Sequence, residues 1–442
     1  MFSNLKGLFS PNNKDLRKRI LFTLAILAIF VIGTGIVVPG AKAITSDLGF
    51  LELLNLMSGG SLKTFSIFAL GVMPYISASI ITQLLQMDIL PYFKELKEQG
   101  ATGRQKINRI NRYLGILFAF IQGYIFSYAY LKGYGTLTVL KTTLVLTAGS
   151  SLLIWLADEI TNKGIGNGMS LMIMAGIVQQ LPNIFITAFN DLVTSGNFST
   201  LAGISLFILF VLVYVLILVG VIFVESAQRR IPIQYSSRTS TAYNKEQSYI
   251  PIKLNSASVM PVIFASAFVG IPALIASVIN NEGFKNFVNN YINYTTPTGF
   301  ILYIVLIFVF GYVYTLMELN PDEMSENLDK NRSYIPGVTP GEKTSVYLKY
   351  VITRLTVVGS LFLIVIAALP ILMSKIPNLS SSVTLGGTGL LIVVGVALET
   401  YKQLESSIVS RSYNSVRKRR KRWKIWFFMV LQQLEKVLNV NY

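Results

Sequence analysis

Ten apolar stretches, at residues 20–39, 65–86, 113–131, 142–159, 169–189, 201–224, 257–279, 299–317, 351–373 and 385–400, limit what this chain can fold into. About 20 residues of helix, rising 1.5 Å each, cover the ~30 Å hydrocarbon core of a bilayer. Inside lipid every backbone amide needs an internal partner, so stretches of this length are read as helices. With 52% hydrophobic and 13% charged residues among 442, the chain carries more apolar surface than a soluble core of its size would hide. The expectation is an all-α polytopic membrane protein with ten transmembrane helices. The first stretch is longer than the apolar region of a cleavable leader, although "VVPGAKA" imitates a cleavage site; it is expected to stay as an anchor.

Lys and Arg gather in the cytoplasmic loops of membrane proteins. With the N-terminus placed inside, segments 1–19, 88–112, 160–168, 225–256, 318–350 and 401–442 hold 31 of these residues and the opposite side holds 6. Both termini are therefore expected in the cytoplasm. Topology accounts for most of the net charge of +17, so that charge alone gives no reason to invoke nucleic acid.

The sequence has no cysteine and no histidine, which removes disulfides, thiolate catalysis, Cys/His metal sites and histidine acid–base pairs. The glycine clusters "GIGNG" (164–168) and "GGTG" (386–389) lack the Lys-Ser/Thr of a phosphate loop and read as turns or close packing. No enzyme activity, cofactor or metal is expected. No Asp, Glu, Lys or Arg lies near the middle of any stretch, whereas pumps and ion-coupled transporters keep such a group as a relay. Asp158 and Glu159 read as interfacial charges beside Lys163, at the cytoplasmic end of the fourth stretch. A conduit fits better than a secondary transporter or a membrane-embedded enzyme.

Two stretches share one device. "GVMPYISASIITQL" (71–84) and "VMPVIFASA" (259–267) each set Val-Met-Pro before an isoleucine and small residues. In the assigned topology Pro74 and Pro261 fall in antiparallel helices five spans apart, the mark of an inverted repeat whose functional path runs between the halves. A proline inside a helix frees the carbonyl four residues earlier, and Ser77, Ser79, Ser258 and Ser266 stand near to satisfy it. Ahead of Pro74, "FLELLNLMSGGSLKTF" (50–65) is too short to span, since its first eight residues make only ~12 Å of helix. It reads either as a re-entrant segment surrounded by protein or as a helix lying flat in the interface.

The segments "SGGSLKTFSIFALGVMPYISASIITQLL", "ITNKGIGNGMSLMIMAGIV", "ESAQRRIPIQY", "IPIKLNSASVMPVIFAS", "NRSYIPGVTPGEKT", "RLTVVGSLFLIVIAALPIL" and "GGTGLLIVVGVALE" resemble the SecY family of bacterial protein translocase channel subunits. The resemblance runs in collinear order over about residues 15–413. It implies a clamshell of two inverted five-helix halves around a central pore that opens sideways to lipid between helices 2 and 7. The halves would be 20–200 and 201–413, preceded by a cytoplasmic segment 1–19 and followed by a tail, 414–442. By the same resemblance Val72, Ile76, Ile173, Ile177, Ile263 and Ile392 ring the pore. Residues 50–64, with Asn55, Ser58, Gly59, Gly60 and Ser61, resemble the plug. Pro74, Thr82, Gln83, Gln122, Asn255 and Pro261 belong to the lateral gate, with the three amides matching a polar cluster that bridges it when closed. An aliphatic constriction dewets and blocks ions, yet yields around an unfolded chain because it offers no fixed hydrogen bonds.

The resemblance also implies partners. Loops 225–256 and 318–350 correspond to a docking surface for the ribosome or the motor ATPase SecA, with Arg229, Arg230, Arg238 and Lys253 placed to meet RNA phosphates; orientation signalling is the other reading of these cations. SecE-like and SecG-like small subunits and unfolded precursor polypeptides complete the set. Thr339 stands where the family typically has an arginine important for motor engagement, and "TSTAYNKEQS" (239–248) departs from the usual basic, glycine-bearing loop. A specialised accessory paralogue is therefore kept beside the general translocon subunit of a bacterial cytoplasmic membrane. In the tail, "RKRRKR" (417–422) beside Trp423, Trp426, Phe427 and Phe428 reads as an amphipathic helix on anionic lipid, with ribosomal RNA the competing partner.

Overall fold

The computed structural model describes residues 14–41, 44, 52–86, 90–194, 199–235, 248–278, 281–293, 296–373 and 389–408. Helices lie in all ten predicted stretches: α1 (Lys14–Thr34), α4 (Met73–Leu85), α6 (Ala101–Leu131), α7 (Thr136–Lys163), α8 (Gly168–Phe189), α9 (Thr200–Ser226), α10 (Met260–Val278), α12 (Pro297–Glu318), α14 (Glu342–Met373) and α15 (389–408). Between them lie α2 (Glu52–Met57), α3 (Ser61–Thr64), α5 (Pro91–Glu98), α11 (Glu282–Phe287) and α13 (Pro321–Lys330). Among the described residues, six helices are long and apolar enough to cross a membrane on length and composition alone, and α4 and α10 are apolar but shorter. The chain is a multi-pass membrane protein. Arg238, the 414–442 tail and most of "GGTG" lie outside the described residues.

Local chemistry sets the helix starts. Asn167 caps α8 by accepting from the amides of Met169 and Ser170 at 3.1 and 3.3 Å, so "GIGNG" is a turn and a cap, as its composition predicts. A Cβ at Gly168 would come within 1.8 Å of the Ala157 carbonyl oxygen, which fixes how closely α8 approaches α7. Thr296 caps α12 and Asn320 caps α13, each followed by a proline in the first turn, where its missing N–H costs nothing.

The second stretch departs from expectation. It is not a helix from residue 65 broken at Pro74; the helix begins at Met73, and Pro74 occupies its first turn. Residues 65–67 instead pair with 36–38, the Val38 amide donating to Phe65 and the Ile67 amide to Ile36 at 2.9 Å each. These bonds satisfy the backbone outside a helix, and Phe65 takes a left-handed φ of 55°. Pro261 is likewise the second residue of α10. Neither proline frees a helical carbonyl, and both mark the start of a shortened helix. Ser77 and Ser266 bond the carbonyls of Met73 and Val262 within their own helices, at 3.2 and 2.7 Å. Prolines do sit inside helices elsewhere, as at Pro182 in α8 and Pro272 in α10.

The helices form two halves. In the first, α7 packs on α6, α8 and α1, and α4 packs on α6; in the second, α12 packs on α10 and α14. The halves meet where α10 lies against α4 and α6, and where a π-helical turn, Asn190–Thr194, leads from α8 towards α9. Phe185 and Phe189 of α8 stack edge-on against Phe210, Tyr214 and Phe207 of α9, with centroids 5.3 to 5.9 Å apart. α15 also approaches the first half: a Cβ at Gly389 would lie 2.8 Å from Ile177 of α8.

Among the described residues, four short strands add to the helical expectation. β1 (Gln228–Pro232) pairs antiparallel with β3 (Tyr249–Lys253), and β2 (Gln234–Tyr235) pairs with β4 (Ser333–Tyr334) about 100 residues away. The loops 225–256 and 318–350 therefore fold as one unit. Ile231, Ile252, Leu328, Ile335, Leu348 and Ile352 form a second hydrophobic core beneath them.

Candidate functional site

The six side chains that the resemblance sets around a pore come from four helices and one turn. Val72 precedes α4, Ile76 sits in its first turn, Ile173 and Ile177 lie one turn apart on α8, Ile263 is in the first turn of α10, and Ile392 is on α15. All six are at most 5% exposed and belong to one apolar cluster. Leu54, Leu56, Met57 and Leu62, from the segment resembling the plug, share that cluster.

The segment is enclosed. Every residue from Leu54 to Leu62 is buried, which a helix lying flat on an interface would not permit because one face would stay open. Gly59 and Gly60 carry φ of 73° and 80°, conformations that suit glycine, and turn the chain between α2 and α3. Asn55 braces the turn, its carbonyl accepting from Gly60 at 2.7 Å and its Oδ1 from the Lys63 amide at 3.0 Å. Ser58 donates to the Asn55 carbonyl at 3.1 Å and Ser61 to the Phe68 carbonyl at 2.8 Å. Against this turn lies Gly176 of α8, where a Cβ would meet the Met57 oxygen at 2.5 Å and the Gly59 nitrogen at 2.9 Å.

Between α4, α10 and α12 runs a narrow, open cleft lined by Ile80, Gln83, Leu84, Phe264, Phe310, Val313, Tyr314 and Met317. Gln83 faces it with a buried, unpartnered Oε1. Thr82 is fully buried and donates to the Ala78 carbonyl at 2.9 Å. The three amides grouped from the sequence are not joined. Gln122 donates to Ser77 at 3.2 Å, inside the first half, while Asn255 stays inside the second.

Asn255 leads to a residue that sequence reading missed. Its Nδ2 donates to Oε1 of Glu225 at 2.7 Å and to the Ser258 carbonyl at 3.0 Å, and both Glu225 and Asn255 are nearly inaccessible. Lys402 of α15 donates to the Glu225 backbone carbonyl at 3.3 Å, and the Lys253 and Lys402 charges lie within electrostatic reach of the carboxylate. Ser258, with a φ of 51°, turns the chain directly into Met260-Pro261. Glu225 thus ties α9 to the turn before α10 through its carboxylate and to α15 through its backbone carbonyl. The only sequence signal was a lone acid closing an otherwise apolar stretch.

On the strand unit, Arg229 and Arg230 are exposed on β1, and the Arg230 guanidinium stacks 4.8 Å from the Tyr249 ring centroid. Lys253 is half-buried and within electrostatic reach of Glu225, so it is less exposed than the two arginines. Thr339 is exposed, its carbonyl accepting from Thr344 at 3.0 Å. Asp158 pairs with Arg112, and Glu159 with Lys163 at 2.6 Å, consistent with interfacial charges.

Comparison with known proteins matches this arrangement. The sequence profile of the SecY family matches residues 66–401. The protein translocase subunit SecY of Staphylococcus carnosus is 44% identical over 427 residues, covering 93% of this chain and 99% of that protein. Its counterpart from Staphylococcus aureus strain NCTC 8325 is 45% identical over 414 residues, 90% of this chain and 96% of that protein. Among solved structures, one described as "The structure of a protein conducting channel" superposes with a TM-score of 0.68 at 21% identity, over 90% of this chain and 93% of the other. A second, Sec61 from a canine ribosome-channel complex, gives 0.64 at 21% identity over the same shares. The structural likenesses establish the fold, and the profile and sequence identities establish descent: the chain belongs to the SecY family of protein translocase subunits.

Proposed function

We propose that this chain is the channel-forming subunit of a bacterial protein translocase, conducting unfolded precursors through its waist and releasing apolar segments into lipid between α4 and α10. One observation carries the reading: two shortened helices, each opening on Met-Pro, face each other at the junction of the halves beside six buried aliphatic side chains capped by an enclosed segment. Paired short helices at matching places in inverted halves mark the working path of such folds. In this reading Val72, Ile76, Ile173, Ile177, Ile263 and Ile392 form the seal, and residues 50–64 are the plug, with 54–62 its enclosed part. The cleft beside Gln83 and Phe264 is where a hydrophobic signal helix first parts the gate. No side chain need do chemistry.

The strand unit is the docking surface for the ribosome or a motor ATPase, because it is a rigid platform carrying Arg229, Arg230 and the Thr339 loop on its exposed side. Small SecE-like and SecG-like subunits cover outer helix faces, both termini lie in the cytoplasm, and the basic tail meets anionic lipid. The test is reconstitution with a SecE-like partner in vesicles. A secretory precursor becomes protease-protected when SecA or ribosomes drive it, and absence of protection with both motors would reject the reading.

A further inference from the structure

We infer that Gln180 of α8 is a positioning residue that latches the plug shut through a single side-chain hydrogen bond to its backbone, with Gln179 and Thr34 as the frame that holds the latch. This rests on the plug reading above and deepens it. The Gln180 Nε2 donates to the Gly59 carbonyl oxygen at 2.8 Å, a bond between residues 121 apart in sequence. Gln179, its neighbour, bonds Thr34 of α1 at 3.0 Å, and Asn183, one turn on, donates to the Gln180 Oε1 at 3.4 Å. The last contact orients the Gln180 amide so that its nitrogen faces the plug.

The target is shaped for this contact. Gly59 and Gly60 hold positive φ and present bare backbone; a Cβ at Gly60 would lie 2.2 Å from the Gln180 Nε2 and one at Gly59 2.8 Å from the Gln179 Oε1. Any larger residue at either place would displace the amide. The apolar plug side chains pack with a cluster that offers contact without direction, whereas a hydrogen bond to one carbonyl has a direction and a register. Apolar burial keeps the segment inside, and the amide fixes where it stops. One ordinary hydrogen bond also breaks readily, which suits a part that must leave and return.

The experiment uses the full chain reconstituted with its small membrane partner in vesicles, reading resting ion flux and thermal midpoint. Gln180→Glu matches the side chain in size but loses the N–H donor, and Gln180→Leu loses all polarity. Each is expected to raise resting flux about fivefold, the population change for one ordinary hydrogen bond, with the thermal midpoint unchanged. Gln180→Lys keeps a donor and is expected to stay near the wild-type flux. Deletion of 54–62 is the control for the plug itself. A leaky deletion with tight Glu and Leu variants would overturn the latch and leave the plug standing. A deletion as tight as wild type would overturn the plug reading and the latch with it. Equal leak in Glu, Leu and Lys variants would show that the donor is irrelevant.

Discussion

Gly176→Ala should unseat the plug without weakening the helix that carries it. The added methyl would lie 2.5 Å from the Met57 oxygen and 2.9 Å from the Gly59 nitrogen, both backbone atoms of the plug turn. Ordinary contact begins near 3.4 Å, so the turn must retreat by about 0.9 Å, and overpacking of this kind costs about 1–3 kcal/mol. That is about a 5- to 150-fold shift towards the displaced plug. In α8 itself the same change removes a helical glycine and favours the helix by up to ~1 kcal/mol. The two effects have opposite signs, and two assays separate them. Ion flux through vesicles should rise, while the thermal midpoint in detergent should hold or increase. Unchanged flux would refute the close seating of Gly176 on the plug, and a lowered midpoint would assign any leak to damaged folding.

Ile76→Gly with Ile263→Gly should raise resting conductance by opening the aliphatic seal, and conductance equal to wild type would place the constriction elsewhere. Cysteines at Gln83 and Phe264, which line one cleft in this cysteine-free chain, should stop translocation when joined by a short thiol crosslinker; full transport after complete crosslinking would exclude a gate there. Asn255 is a poor choice for such a pair, because its loss also unties Glu225. Glu225→Leu should cost about 1–3 kcal/mol by leaving the Asn255 amide buried without that acceptor, seen as a lower thermal midpoint, while Glu225→Gln keeps an acceptor and should lose less. Thr339→Arg should increase SecA-driven transport by restoring a charge-assisted contact typically of about 1.5–3 kcal/mol, with little change in ribosome-coupled insertion. No gain with a general SecA would show that this position does not limit coupling.

How much of this was legible in the sequence depended on the range of the interaction that decides each feature. The ten apolar stretches needed only a local count of apolar residues, and each holds a helix among the described residues, six of them long and apolar enough to cross a membrane and the second starting only at Met73. The Val-Met-Pro pair was visible, but its meaning was inverted: residues 65–72 are as apolar as a helix, and what keeps them out of one is pairing with 36–38, some 30 residues earlier. The pairing of β2 with β4 joins loops 100 residues apart through two-residue strands, too short to show a period of two. Glu225 drew no reading from the sequence because its partner, Asn255, lies 30 residues away, beyond a loop. Burial of 54–62 was undecidable from pattern, since a re-entrant turn and a surface helix share one composition.

The arrangement on α8 carries the last step. Ile173, Gly176, Ile177 and Gln180 follow the i, i+3, i+4, i+7 spacing of a single helix face. The two isoleucines enter the apolar cluster, the glycine seats the plug turn, and the glutamine bonds it. The proposed seal and the proposed plug are therefore held by one rigid face rather than by separate elements. A chain that pushes Ile173 and Ile177 outward must turn or shift α8, and the same movement withdraws Gly176 and Gln180 from Gly59. On the proposed reading, widening the waist and releasing the plug would be one event, so a polypeptide pressing on the waist would displace the plug without touching it.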